Sequence, residues 1–307
     1  MAETTVAIIG AGSGGVYLAA ELGTLGCRLR LTDRDESRLA DIRAHGGLDV
    51  EPGGFAAIER VTTDLAAAVD GAGVIAVCTG GTYQEGVARG LAPFLRDGQT
   101  ILLIQGNSGG ALVFRRALDA AGGRAAVDIA EMDNYPYSCW RPAPTSIRPI
   151  VRKQFFQIAA FPGNRGGPVF ARLAPLFPHA VAVPTVISTG FTNANAMLHV
   201  ANCIANAGKI DRGEGYKFYA EGVTPAVARL YGAINAERVA VAPGAHGEWQ
   251  TGLRENCGLS ERTAQRYMQL ARSGLKSATV AHLGRQTTAD AREGHSSGNR
   301  RSFGPGS

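Results

Sequence analysis

The chain has 307 residues, 45% hydrophobic and 19% charged, which suits one large or two ordinary domains with well-buried cores. Glycine is abundant, at 41 residues, while the apolar content is ordinary. The excess therefore reads as turns and phosphate loops, and fibrous and disordered classes are excluded. Net charge is +5, but residues 1–245 hold 22 basic and 21 acidic side chains and residues 246–307 hold 9 and 5. The basic balance belongs to the last fifth of the chain and is poor evidence about a substrate.

No apolar run approaches the ~18–20 residues of a spanning helix, and the start, MAETTVAIIG, lacks a basic region before its apolar stretch, so neither a membrane span nor a signal peptide is expected. Cys27, Cys78, Cys139, Cys203 and Cys257 are odd in number and never in CxxC spacing. That pattern argues against a disulfide framework and a zinc site, and it fits a reducing cytoplasm.

In chain order, residues 5–9 (TVAII) form a β-branched run ending in a glycine loop at 10–15, and residues 16–26 follow at helical spacing. Residues 27–32 alternate as a second strand that stops at Asp33, completing a βαβ unit of the usual ~30-residue size. Strands at 74–78 and 100–105, with helices at 83–95 and 111–121, predict an α/β fold with a Rossmann-type, doubly wound parallel sheet. Residues 125–162 are strand-like, bent by prolines at 136, 142, 144 and 149, and read as a sheet extension closing the first domain. From about residue 185 the character becomes helical, at 187–207 and 225–241. The expected organisation is a dinucleotide-binding domain over 1–184 and a shortened all-helical substrate domain over 185–245. A helical tail over 246–293 and a disordered end over 294–307 complete it.

Gly10-Ala11-Gly12-Ser13-Gly14-Gly15 contains GxGxxG as Gly10, Gly12 and Gly15. Gly10 suits the tight turn, Gly12 the approach of a pyrophosphate and Gly15 the packing of helix on strand, with Ala11, Ser13 and Gly14 completing a loop whose N–H groups face the phosphates. Asp33 stands 18 residues past Gly15, where a carboxylate binds a ribose 2′-hydroxyl, and this favours NAD over NADP. Arg34 beside it either receives the 2′-phosphate of NADP or is a solvated loop charge. Thr79, before Gly80-Gly81, either lines a cofactor ribose or belongs to a plain strand-to-helix turn.

Four further segments sharpen the reading. They are Leu91 to Gln99 (LAPFLRDGQ) followed by Gln105 to Leu112 (QGNSGGAL), Glu131 with Pro136-Tyr137-Ser138-Cys139, Asn193 to His199 (NANAMLH), and Phe218 to Pro225 (FYAEGVTP). In order and spacing the chain resembles the opine dehydrogenases, the octopine and nopaline dehydrogenase family, over about residues 4–243. The resemblance implies an NAD(P)H-dependent reductive condensation of an amino acid with a 2-oxo acid. It makes His199 the acid/base residue. Asn195, four residues earlier on the same helical face, orients a substrate oxygen. A homodimer is compatible with it. Tyr219 and Glu221 are weaker candidates, the Tyr either binding a substrate carboxylate or packing between domains, and Glu131 and the Pro136-Tyr137 pair read as structural lining. Lys209 is either a catalytic ammonium of the ketopantoate reductase kind or a solvent-facing charge, the latter preferred. A ketopantoate or glycerol-3-phosphate type dehydrogenase is the alternative enzyme, disfavoured because no Lys opens the helix carrying Asn195. An inactive dinucleotide-binding protein is the non-enzyme alternative.

Residues 246–249, 257–268 and 276–280 resemble a different group, an uncharacterised family of phage and plasmid proteins. The two resemblances meet near residue 245, as a fusion, a frameshift or a truncated gene would each produce. Gly258-Leu259, the N-cap Ser260 and an amphipathic run to Ala271 form a helix-turn-helix-like pattern. Arg262, Gln265 and Arg266 share one face there, which reads as a solvated basic surface in preference to a nucleic-acid contact.

Overall fold

The computed structural model describes residues 4–241. The helix-turn-helix-like stretch and the 294–307 tail lie outside the described residues. The chain divides into two compact units, Met1–Asn193 and Ala194–Ser307.

In the first unit, β1 (Thr5–Ile9) runs through the glycine loop into α1 (Ser13–Thr24), and β2 (Arg28–Thr32) follows. Six short elements come next: a 3-10 turn at Glu36–Arg38, α2 (Ala40–His45), β3 (Gly47–Val50), β4 (Gly54–Ala57), β5 (Arg60–Thr62) and α3 (Leu65–Val69). The alternation then resumes with β6 (Val74–Val77), α4 (Gly81–Leu91), β7 (Thr100–Leu103), α5 (Gly110–Ala120) and β8 (Asp128–Met132). After β9 (Tyr137–Ala143), β10 (Ser146–Arg152) and β11 (Phe156–Phe161), the unit closes with α6 (Gly166–Leu173), β12 (Ala180–Ala182) and α7 (Val186–Thr192).

Eight strands form one sheet in the order β12-β11-β8-β7-β6-β1-β2-β5. From β5 to β8 all neighbours are parallel, and β11 is antiparallel to β8. The chain winds outward from β1 through β2 to β5 on one side and from β6 to β8 on the other, so the order reverses between β1 and β6. This is the expected doubly wound α/β fold, with its crevice at that reversal. The central strands are apolar on both faces because both are covered. Val6 and Ile8 face a cluster with Leu18, Leu22 and Leu173, while Ala7 and Ile9 face another with Leu91, Phe114 and Leu118.

The strand-like stretch after residue 125 does two things. β8 and β11 extend the main sheet as expected, whereas β9 and β10 leave it to form a second sheet in the order β4-β3-β10-β9. That sheet packs inward through Leu48, Ala56 and Ile147, which join the Val6 cluster.

The described part of the second unit comprises α8 (Asn195–Ala205), α9 (Ala207–Asp211) and α10 (Pro225–Val241). Its core is Leu198, Ala201, Val223, Val227 and Tyr231, and the Tyr231 hydroxyl donates to the Leu198 carbonyl at 2.8 Å. The continuous helix expected over 187–207 is broken instead. Asn193 adopts φ −63°, ψ 100°, ending α7 two residues before α8 begins. α7 belongs to the first unit because the Thr189 hydroxyl lies 2.6 Å from the buried Glu131 carboxylate, so the division falls after Asn193, later than the change of character near residue 185.

Candidate active site

At the carboxyl ends of β1, β2 and β6 lies a cleft of about 790 Å³, the size of a small-molecule site. Its walls include Gly10, Gly12, Ser13 and Gly14 from the glycine loop, Asp33 and Arg34 from the end of β2, and Thr79 from the end of β6. Of the expected cofactor residues, Ala11 and Gly15 are the two that do not line it. Both are buried behind the loop and shape it from inside.

Two glycines are required sterically. Gly10 has φ +110°, and a Cβ there would stand 2.9 Å from the Cys78 carbonyl oxygen. A Cβ on Gly15 would collide with the Gly10 carbonyl, so only glycine lets α1 start this close to β1. Gly12 differs: the nearest atom to a Cβ there would be Arg38 Nη1 at 3.9 Å, so this position is open towards the cleft. No side chain caps the start of α1, whose N-cap is Gly12. An uncapped helix start beside an open glycine suits a pyrophosphate, whose oxygens would accept from the first N–H groups. Thr79 Oγ1 adds a second mark of fit, being buried with no hydrogen-bond partner at the edge of the same cleft.

Asp33 is tied into the loop, with Oδ2 accepting from the Ala11 N–H at 2.7 Å. Arg34 is exposed, lies over the Tyr83 ring, 4.9 Å from its centroid, and lines the cleft. Residues not anticipated also line the cleft, among them Arg38 and Tyr135. Arg38 follows a segment without periodicity. Tyr135 arrives from beyond β8, and its ring lies against Gly14. No local sequence signal marks either residue.

Glu131, next to last in β8, has no exposed surface and lies outside the cleft. It accepts from the Ala111 N–H at 3.0 Å, and burial pushes its carboxyl above the ordinary range.

In the second unit, Asn195 opens α8 and His199 follows one turn later. His199 is half-buried, and burial lowers its pKa, so its neutral form dominates at neutral pH. Its Nε2 is 2.6 Å from the Tyr219 hydroxyl, and the Phe218 ring stands edge-on to it at 5.7 Å. Tyr219 is thus a hydrogen-bond partner of the histidine. Glu221 accepts from the Lys217 N–H at 3.2 Å and serves as a local turn contact. The Lys209 ammonium lies 5.4 Å from the Tyr216 ring centroid, and α8 itself contains no lysine. Among the described residues no group of three or more His, Cys, Asp or Glu could hold a metal ion, and no helix is long and apolar enough to cross a membrane.

Two families match the chain. The one described as NAD/NADP octopine/nopaline dehydrogenase, alpha-helical domain, matches residues 182–284, and the one described as ketopantoate reductase matches residues 6–122. The first match runs through residue 245 and takes in the whole of the stretch that also resembles the phage and plasmid proteins, so the likeness does not stop near 243 as expected. Solved structures share the fold. Yersinopine dehydrogenase without ligand aligns with a TM-score of 0.67 at 19% identity, covering 88% of this chain and 75% of that one. Octopine dehydrogenase with NADH and L-arginine aligns at 0.66 and 18%, covering 88% and 74%. An opine dehydrogenase from Arthrobacter sp. (strain 1C) is 31% identical over 241 residues, which is 78% of this chain and 67% of that protein. With that identity over that length, beside a glycine-loop cleft and the His199 helix, the chain belongs to the opine dehydrogenase family.

Proposed function

We propose that the protein is an NAD(P)H-dependent oxidoreductase that joins an amino acid to a 2-oxo acid by reductive condensation. The observation that carries this is the glycine-loop cleft at the sheet reversal, in a chain of this family. When bound, the nicotinamide supplies the hydride that reduces the carbon–nitrogen double bond formed from the two substrates. The chain's own residues hold and prepare the reactants. Gly12 and the uncapped start of α1 bind the pyrophosphate, Arg34 lines the adenosine end, and Thr79 Oγ1 donates to the dinucleotide.

His199 is the acid/base residue. Its half-buried, neutral ring takes the proton released as the amine attacks the 2-oxo carbon, and returns one as water leaves. Tyr219 orients that ring through Nε2, and Asn195 binds a substrate oxygen without titrating. The widely spaced cysteines suit work in a reducing cytoplasm. The ketopantoate match is confined to residues 6–122, within the dinucleotide unit, and the lack of a lysine on α8 stands against that reading.

The test is NADH or NADPH oxidation over a panel of amino acids with pyruvate and other 2-oxo acids. Turnover should require both substrates together, and His199→Ala should lower kcat by about 10²–10⁴. Tyr219→Phe should lose less, roughly tenfold, in keeping with one hydrogen bond. Oxidation that needs only the 2-oxo acid would assign the chain to simple ketone reduction instead.

A further inference from the structure

Asp33 stands where a ribose 2′-hydroxyl would be read, yet the backbone engages both of its oxygens. Oδ2 accepts from the Ala11 N–H at 2.7 Å and Oδ1 from the Asp35 N–H at 3.0 Å, and the side chain is 10% exposed. The next two acids are also committed to the turn. Asp35 accepts from the Ser37 N–H and hydroxyl, and Glu36 pairs with Arg43 through both oxygens. The carboxylates after β2 therefore shape the segment.

The cations of the same segment line the cleft. Arg34 is held over the Tyr83 ring, while Arg38 approaches Gly12 and reaches Asp35 and Asp33 only at 3.4 and 3.8 Å. Two guanidinium groups at the adenosine end of a dinucleotide cleft, one braced on an aromatic ring, suit a phosphate dianion, because planar forks of N–H donors match its oxygens. The Asp33 charge, which opposes such a group, is offset by two N–H donors and Arg38.

We propose that Arg34 and Arg38 form a binding site for the 2′-phosphate of NADPH, and that the chain takes NADPH in preference to NADH. This rests on the dinucleotide reading of the cleft and reverses the preference that Asp33 suggests in the sequence.

The test is fluorescence titration of the full chain with NADPH and with NADH, and competition by adenosine 2′,5′-bisphosphate and by 5′-AMP. NADPH should bind about ten- to a hundredfold more tightly, the gain of charge-assisted hydrogen bonds, with the bisphosphate the better competitor. Arg34→Ala and Arg38→Ala, checked as folded by circular dichroism, should each weaken NADPH about tenfold and NADH by less than about threefold. Equal affinity for the two dinucleotides, or equal losses in the variants, would overturn the phosphate site and leave the cofactor cleft standing. No binding of either would remove both.

Discussion

Glu131 is a carboxyl with no exposed surface, placed between the start of α5 and Thr189 of α7. Burial favours its protonated form, so the folded chain holds that proton to higher pH than the unfolded chain does. The folded state thus gains relative stability at low pH and loses it as pH rises from the ordinary carboxylate range through the raised value. Glu131→Gln keeps a carbonyl oxygen that accepts from the Ala111 N–H, while the Thr189 hydroxyl, which donates to the carboxylate, retains the Val186 carbonyl as an acceptor. This variant should be as stable as the parent or more so at pH 7, and it should flatten that part of the stability curve. Glu131→Ala leaves the Ala111 N–H unsatisfied and opens a cavity, and should cost about 1–3 kcal/mol, read by urea denaturation. Equal losses in both variants would mean that the carboxylate charge itself holds the site. None of this was legible in the sequence, where Glu131 reads only as lining. Its partner Thr189 lies 58 positions away in a stretch taken for a long helix.

The unit of β1, glycine loop and α1 was the most legible element, since a β-branched run, spaced glycines and a helical period all point to one geometry. Its glycines nevertheless do different work, and substitution should separate them. Gly15→Ala drives a methyl group into the Gly10 carbonyl and should lower stability by about 1–3 kcal/mol, the cost of overpacking. Gly12→Ala meets only the tip of Arg38 at 3.9 Å, so its melting temperature should stay within about 2 °C of the parent while dinucleotide affinity falls. Thermal denaturation and cofactor titration of the pair check this, and matching losses of stability would refute it. The neighbouring stretch from Glu36 to Val69 stayed unread for a physical reason. Its elements are three to six residues long, too short for periodicity to show, and β3 pairs with β10, nearly a hundred residues on.

For the whole molecule, two compact units and a cleft whose described lining residues come from the first give a prediction about how binding spreads. A dinucleotide at a hundred times its Kd should add about 2.7 kcal/mol to the stability of the unit that holds it. Hydrogen exchange should then slow at the ends of β1, β2 and β6 and leave α8 and α10 near their unbound rates. Equal slowing in those helices would make the two units a single cooperative body. At this scale the sequence conveyed the doubly wound class but not the second sheet, because strands β9 and β10 look the same whichever sheet they join.

The three-residue strands at either end of the large sheet, β5 and β12, also bear on how copies of the protein behave together. A strand this short offers an incoming chain few unsatisfied N–H and C=O groups to template on. Abbreviated borders therefore guard a strongly apolar sheet against growing sideways into aggregates.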